Sequence, residues 1–230
     1  MIIGGIMPFS LVDYPGLPAA TVFTLGCNLR CPFCHNVELV EGKEQVDSGQ
    51  FFTLLEKRVG LLDGVCITGG EPTLQRGLAD FAKRIKTLGF NIKLDTNGSR
   101  SQVLAELLEQ DLLDYVAVDI KAPPQLYAEA TRVALTFAQV VESVNVLRES
   151  QVEYELRTTV VPGLIDLEGL ELIQKALGPV PRYALQQFRP QKTLDPSYGE
   201  ITPFDATWFI KAKEILQAAG TEVVLRGINS

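Results

Sequence analysis

Three cysteines and the only histidine of the chain lie together in the stretch GCNLRCPFCHN, residues 26 to 36. Cys27, Cys31 and Cys34 follow a C-x3-C-x2-C spacing, so one tight loop can direct three thiolates toward a common point. Thiolates are the protein ligands of iron-sulfur clusters. The loop offers three such ligands and not four.

Three other interpretations of these cysteines are open. Their spacing also fits one face of a helix, although Pro32 inside the run would remove a helical hydrogen bond. Structural zinc normally takes two spaced pairs of ligands, whereas the fourth cysteine, Cys66, lies far away in an apolar run. A disulfide framework needs an oxidising compartment and is typical of chains too small for a full core. The iron-sulfur interpretation explains the loop best.

The cysteine loop resembles the signature of the radical S-adenosylmethionine (SAM) enzymes, with an apolar strand before it and aromatic Phe33 ahead of the last cysteine. Other motifs resemble the activating enzymes of glycyl radical enzymes, and above all the anaerobic ribonucleoside-triphosphate reductase activating proteins. These motifs are LVDYPG before the loop, CHN at its end, GGEP at 69–72, LDTNG at 94–98, DIK at 119–121 and VVPG at 160–163. The resemblance covers almost the whole chain.

The resemblance implies a definite chemistry for the loop. Cys27, Cys31 and Cys34 would hold a 4Fe-4S cluster, and the amino acid end of SAM would complete the coordination of the fourth, open iron. Reductive cleavage of SAM would then produce a 5'-deoxyadenosyl radical that removes hydrogen from the substrate. A low-potential donor such as flavodoxin or ferredoxin would supply the electron. The implied substrate is a glycyl radical enzyme, namely the class III ribonucleotide reductase.

The resemblance also assigns the SAM contacts. Gly69, Gly70 and Glu71 would hold the methionine ammonium group, which suits a carboxylate beside backbone carbonyls. A second set would hold the carboxylate and ribose of SAM and frame a monovalent cation site, since oxygen ligands suit a hard cation. An ordinary ion pair at the rim of a barrel is the alternative for this set. The set consists of Asp95, Thr96, Asp119 and Lys121, and Phe33 is counted among the cofactor-binding residues.

Four further positions refine this assignment. Arg157 in LRTTVV is expected to contact the ligand, with an exposed edge residue as the alternative. Asp13 in VDYPG is either a turn residue or part of the segment that the family places near the glycyl loop. Cys66 in GVCITGG is expected to be buried packing and not a ligand. LQQFRP at 185–190 departs from the pyruvate formate-lyase activators, which carry a histidine near Phe188, and this difference weighs against a lyase partner.

Short apolar runs alternate with amphipathic stretches, which is typical of βα units and a parallel sheet. We predict strands at 20–25, 64–68, 90–95, 115–120, 153–160 and 182–188, and an added edge at 222–226. The predicted helices cover 48–62, 74–88, 101–110, 137–149, 167–177 and 204–219. Six βα units fall short of eight, so right-handed crossovers predict an open, partial (β/α)6 TIM-like barrel. The site residues follow strand ends and should meet at its carboxyl edge.

Composition narrows the class of protein further. A chain of 230 residues with 46% hydrophobic and 21% charged residues is expected to form one domain, residues 1–230. A net charge of -7 without a basic run weighs against nucleic-acid binding. No apolar run reaches the length of a membrane helix, and no secretory signal is apparent, so we expect a cytoplasmic protein.

Other functions remain open at this stage. A related one is activation of another glycyl radical enzyme of the pyruvate formate-lyase type. Another is a small-molecule radical SAM enzyme such as a 7-carboxy-7-deazaguanine synthase, which would need a pocket with polar groups beyond those for the cofactor. A third is a simple iron-sulfur electron carrier, which would not need the GGEP motif.

Overall fold

A computed structural model describes residues 1–42 and 44–228. Eight strands form one sheet, and their order in the sheet follows their order in the chain. β1 is antiparallel to β2, and all further neighbours are parallel. The predicted α/β fold is confirmed. The strands are β1 (Ile3–Ser10), β2 (Ala19–Thr24), β3 (Gly64–Gly69), β4 (Asn91–Thr96), β5 (Tyr115–Asp119), β6 (Glu153–Val160), β7 (Arg182–Gln187) and β8 (Glu222–Arg226).

The helices connect successive strands, and several begin at side chains that accept a hydrogen bond from the first turn. Asp166 accepts from the Gly169 N–H, Asp205 accepts from the Trp208 N–H, and Thr136 forms a capping box with Gln139. No helix in the described part of the chain is both long and apolar enough to cross a bilayer. The helices are α1 (Val37–Glu41), α2 (Ser48–Glu56), α3 (Leu78–Thr87), α4 (Ser101–Glu109), α5 (Tyr127–Thr131), α6 (Phe137–Glu149), α7 (Leu167–Leu177) and α8 (Ala206–Ala218).

Several elements differ from the sequence prediction, which did not include the short helices α1 and α5. The prediction missed β1, whose sequence IGGIMPFS contains two glycines and a proline, residues that are rare in strands. α2 ends at Glu56 and not at 62, and Gly60 in the following turn has a φ of 77°. α3 begins at Leu78 and not at 74, because Gly77 at its N-cap has a φ of 79°. The added edge strand at 222–226 is confirmed as β8.

The two faces of the sheet differ in chemistry. On β4, Ile92 and Leu94 are fully buried in the hydrophobic core, whereas Lys93 and Asp95 point to the opposite face. Cys66 of β3 lies in register with Lys93, so it shares that second face. The helices therefore cover an apolar face, and the other face carries buried polar and charged side chains.

One cluster of these charges joins the last strands of the sheet. Glu155 of β6 is completely buried, and both of its carboxylate oxygens accept from the guanidinium of Arg226 on β8, at 2.9 and 2.8 Å. The Nε of Arg182 on β7 lies 3.9 Å from the same carboxylate. A bidentate pair of this kind fixes orientation as well as distance. It ties β8 to β6 across β7.

We predict that Arg226→Met lowers the free energy of unfolding by about 3 kcal/mol, because it leaves the buried Glu155 carboxylate without its bidentate partner. Urea unfolding followed by circular dichroism measures the change. The double variant Glu155→Leu/Arg226→Met should recover most of the loss, since no buried carboxylate remains. A single variant as stable as the wild type would show that the pair does not stabilise the edge of the sheet.

Candidate active site

A cavity of about 310 Å³ lies at the carboxyl ends of the parallel strands. Parallel α/β folds place their ligand sites at this edge, where loops from several strands converge. All the residues predicted for the site line this one cavity. They are Asp13, Cys27, Cys31, Phe33, Cys34, Gly69, Gly70, Glu71, Asp95, Thr96, Asp119, Lys121 and Arg157.

The loop after β2 carries the three cysteines and contains no helical residue between 25 and 36. The interpretation of these cysteines as one face of a helix is therefore wrong. Cys31 is buried, and Cys27 and Cys34 are half-buried. The Cys27 Sγ accepts from the Leu29 N–H at 3.4 Å, and the Cys34 N–H donates to the Cys31 carbonyl at 3.1 Å. Burial raises the pKa of the Cys27 thiol and raises that of Cys31 to about 12. These thiols therefore need a bound cation or cluster to ionise at neutral pH.

A segment after β7 holds the cysteine loop from outside. The Asp195 N–H donates to the Pro32 carbonyl at 2.9 Å, and the Nδ1 of His35 lies 2.7 Å from the Lys192 carbonyl. The His35 ring stacks on Phe188 with 6.1 Å between ring centres. Phe188 lies in LQQFRP, residues 185–190. Here its ring supports the residue that follows the last cysteine.

The GGE segment, residues 69–71 at the end of β3, fits closely against the start of the cysteine loop. A Cβ atom on Gly70 would lie 2.1 Å from the Gly26 carbonyl oxygen, and one on Gly69 would lie 2.3 Å from the Thr24 nitrogen. Gly69 also has a φ of 118°, a conformation that other residues rarely adopt. The Glu71 N–H donates to the Gly26 carbonyl at 2.8 Å. Both glycines are therefore required for this approach of backbone to backbone.

The Glu71 side chain is completely buried and links two loops. Its Oε1 accepts from the backbone N–H of Thr73 at 3.1 Å and from the Thr96 hydroxyl at 2.8 Å, and its Oε2 accepts from the Asn97 N–H at 2.7 Å. Burial raises the pKa of Glu71, and these hydrogen bonds oppose the rise. The carboxylate thereby fixes the loop that follows β4.

Asn97 is a cavity residue that the sequence analysis did not assign. Its amide donates to the Asn28 side chain at 2.9 Å and lies 4.0 Å from the Cys27 Sγ. The LDTNG motif contains this residue, but Asn before glycine after a strand also fits an ordinary turn. Its place beside Cys27 depends on Glu71, which the sequence alone does not connect to it.

Five charged side chains, here called the charged row, alternate in sign along the inner face of β4, β5 and β6. They are Lys93, Asp95, Arg157, Asp119 and Lys121. Arg157 donates to Asp95 at 2.9 Å and to Asp119 at 2.8 Å, and Lys121 donates to Asp119 at 3.1 Å. Lys93 donates to the other oxygen of Asp95. Arg157 is therefore an interior residue, and the edge alternative is wrong. Lys93, which the sequence analysis missed, stands between the buried Ile92 and Leu94 on β4.

These contacts set the ionisation of the two acids. Burial opposes ionisation, yet Arg157 and Lys93 hold the pKa of Asp95 below its ordinary value. Arg157 and Lys121 do the same for the pKa of Asp119, again against the effect of burial. Both acids therefore remain ionised at neutral pH.

Asp13 and Cys66 have different positions relative to the cavity. Asp13 lines it and accepts from the Thr21 hydroxyl of β2 at 2.7 Å. Cys66 is completely buried on β3, and its Sγ lies 3.9 Å from the Lys93 ammonium. The prediction that Cys66 packs in the interior agrees with this position.

The donors in the cavity suit an iron-sulfur cluster with SAM. Three thiols from one loop share the space with a carboxylate, two glycines without side chains and a row of paired charges. Within residues 1–42 and 44–228, no three His, Cys, Asp or Glu side chains are arranged to hold one metal ion. A cluster binds each thiolate to a different iron and does not need convergence on one ion.

Thiols, acids and bases at the carboxyl edge of a parallel sheet are the features of an α/β enzyme with a cofactor bound at its strand ends. Comparison with known proteins agrees with this class. Residues 21–176 match the model of the Radical SAM superfamily, and the chain belongs to that superfamily.

Two relatives and one solved structure show the range of similarity. A Methanocaldococcus jannaschii protein named "Putative glycyl-radical enzyme activating enzyme" is 32% identical over 99% of this chain and 97% of its own length. A second protein of that organism with the same description is 32% identical over 68% of this chain and 62% of its own. The structure of Streptococcus suis SuiB bound to S-adenosylmethionine has a TM-score of 0.68 at 15% identity. It covers 89% of this chain and 49% of SuiB, and this likeness concerns the fold alone.

We predict that Cys27→Ala, Cys31→Ala and Cys34→Ala each abolish the 4Fe-4S absorption of the anaerobically reconstituted protein, because each removes one cluster ligand. Iron and sulfide analysis with visible spectroscopy measures the loss. Cys66→Ala is the matched control and should keep the full spectrum. Loss of the cluster in Cys66→Ala, or a full cluster in any loop variant, would contradict the ligand assignment.

Proposed function

We propose that this protein is a glycyl-radical-enzyme activating enzyme and that its partner is the class III anaerobic ribonucleotide reductase. Residues 1–230 would form one radical SAM domain. The observation that carries the proposal is the single cavity in which the three thiols, the GGE segment and the charged row meet. The similarity to a protein described as such an activating enzyme, which extends over nearly the whole of both chains, supports it.

Different groups of the cavity would bind the cluster and SAM. Cys27, Cys31 and Cys34 would hold the 4Fe-4S cluster, which when bound supplies an electron for the reductive cleavage of SAM. Backbone groups of Gly69 and Gly70, with the Glu71 carboxylate, would receive the SAM ammonium group. Polar groups at the ends of the next three strands would orient its carboxylate and ribose, with Phe33 as a further contact. These groups belong to Asp95, Thr96, Asp119, Lys121 and Arg157.

The surface next to the cavity favours a protein substrate. Met7, Phe9, Leu11 and Val12 are between 42% and 85% exposed, and they form the apolar segment, residues 7–12. This segment leads directly into Asp13, which lines the cavity. Clustered exposed apolar residues are typical of surfaces that bind another protein. A glycine loop of the partner would cross the apolar segment on its way to the cavity, whereas a small molecule would not need it.

The choice of partner rests on the segment that contains Phe188. Phe188 supports His35, and Gln186 is the polar side chain that β7 contributes to the cavity. The lyase activators carry a histidine in this region, and its absence favours the reductase. We further propose that the protein acts in an anaerobic cytoplasm with a low-potential donor such as flavodoxin or ferredoxin, because a cluster with an open iron is sensitive to oxygen.

We predict that the reduced, cluster-loaded protein with SAM generates a glycyl radical on the class III reductase. Electron paramagnetic resonance would detect the radical as a doublet, and dNTP synthesis would follow. Reductase in which the radical-bearing glycine is changed to alanine is the control. A doublet that forms only on another glycyl radical enzyme would overturn the partner while keeping the activating function. 5'-Deoxyadenosine formation without radical on any such enzyme would favour a small-molecule substrate.

We predict that Phe9→Ser/Leu11→Ser raises the KM for the reductase by about 10-fold, because it removes exposed apolar area from the proposed docking surface. The rate of SAM cleavage without the partner should stay unchanged. Leu61→Ser is the matched control, since Leu61 is 66% exposed and lies outside the apolar segment. An unchanged KM in the double variant, or an equal effect of Leu61→Ser, would contradict a role of residues 7–12 in docking.

A further inference from the structure

We propose that Lys93 and Arg157 take the place of a bound monovalent cation at the acids Asp95 and Asp119, so that SAM binding does not depend on sodium or potassium. Lys93 is then a positioning residue of the site. The inference rests on the binding of SAM in this cavity. It departs from the cation site that the family resemblance implies for these acids.

The hydrogen bonds of the two acids leave no carboxylate oxygen without a cationic partner. Asp95 receives Lys93 on Oδ1 and the Arg157 Nη1 on Oδ2, at 2.9 Å for the latter. Asp119 receives the Arg157 Nε on Oδ1 at 2.8 Å and the Lys121 ammonium on Oδ2 at 3.1 Å. A metal cation at these acids would have to share every carboxylate oxygen with an ammonium or a guanidinium, because each oxygen already accepts from one.

The balance of charge points the same way. Two carboxylates lie among three cationic side chains in the row, while the acids Glu71 and Asp13 line the same cavity outside it. A metal cation bound to Asp95 or Asp119 would lie next to these side-chain cations in an interior where charges are poorly screened. SAM brings a carboxylate to the same place, and the side-chain cations are suited to it. The residues present therefore fit an anionic group of the ligand and do not fit a further cation.

Lys93 differs from the other two cations because it does not line the cavity. Its side chain is 2% exposed, and it lies two residues before Asp95 on the same face of β4. Its ammonium contacts Asp95 and lies 3.9 Å from the Cys66 Sγ, while Asp95 and Arg157 line the cavity. A desolvated ammonium requires an anionic partner. Lys93 therefore fixes the Asp95 carboxylate from the interior of the sheet, and Asp95 in turn holds the Arg157 guanidinium at the cavity wall.

The first test is the dissociation constant of SAM for the cluster-loaded wild-type protein. Equilibrium dialysis would compare sodium, potassium and tetramethylammonium chloride at one ionic strength, since the last cation is too large for an oxygen site. We expect the three constants to agree within about twofold. A loss of affinity of about 10-fold or more in tetramethylammonium would overturn the inference. Absence of SAM binding in every salt would overturn the assignment of the cavity, and with it this inference.

The second test creates the cation dependence that the wild type lacks. Lys93→Met frees one oxygen of Asp95, so we expect about 10-fold weaker SAM binding in tetramethylammonium and recovery when sodium or potassium is added. Lys93→Arg keeps the charge and should bind SAM like the wild type in all three salts. Unchanged binding by Lys93→Met in every salt would contradict a positioning role. If Lys93→Met does not fold, the inference is judged by two results. SAM binding by the wild type and by Lys93→Arg should be the same in all three salts, and a dependence on sodium or potassium in either protein would overturn the inference.

Lys86→Met is the matched control for a purely structural effect. Lys86 pairs with Asp114 at 2.6 Å, and its side chain is 28% exposed. Neither residue lines the cavity. This variant should lower the unfolding temperature and leave the SAM dissociation constant and its salt dependence unchanged. Equal weakening of SAM binding in Lys86→Met and Lys93→Met would assign the effect to general destabilisation and overturn the inference.

Discussion

The architecture of the site depends on the pairing of charges inside the sheet. The inner face of β4, β5 and β6 carries acids and bases that water does not reach freely, and each must have a partner of opposite charge. Arg157 provides the central link, because its guanidinium bridges Asp95 and Asp119 from neighbouring strands. Asp95 and Asp119 lie at the ends of their strands, and Arg157 of β6 is in register with Asp119, so this pairing also aligns the edge at which the loops leave the sheet. The cavity is thus built on the same contacts that neutralise the interior.

A second constraint joins the cysteine loop to this edge. Gly70 approaches Gly26 so closely that a side chain would collide with its carbonyl, and the Glu71 N–H bonds to that carbonyl. The Glu71 carboxylate then holds the Asn97 N–H, and the Asn97 amide lies near Cys27. The thiols, the GGE segment and the loop after β4 therefore form one connected unit. The segment after β7 adds a contact from outside through Asp195 and Pro32.

Much of this arrangement could be predicted from the sequence, because its signals are local. The alternation of apolar runs and amphipathic stretches indicated the parallel sheet, and cysteine spacing and strand ends indicated which residues share a cavity. The parts that escaped depend on contacts between distant residues. β1 has strand-breaking residues, and its main partner is the distant strand β2. Lys93 looks like a surface residue until Asp95, Arg157 and the covering strands place it in the interior.

The central claim is that three cysteines hold a four-iron cluster whose fourth iron is open to SAM. Mössbauer spectroscopy of the protein reconstituted with 57Fe, with and without SAM, tests it most directly because each iron contributes separately to the spectrum. The account predicts a 4Fe-4S spectrum in which about one quarter of the iron changes its signal when SAM is added, as expected for a single open iron. A spectrum that SAM leaves unchanged, or one that shows isolated iron or a two-iron cluster, would contradict it.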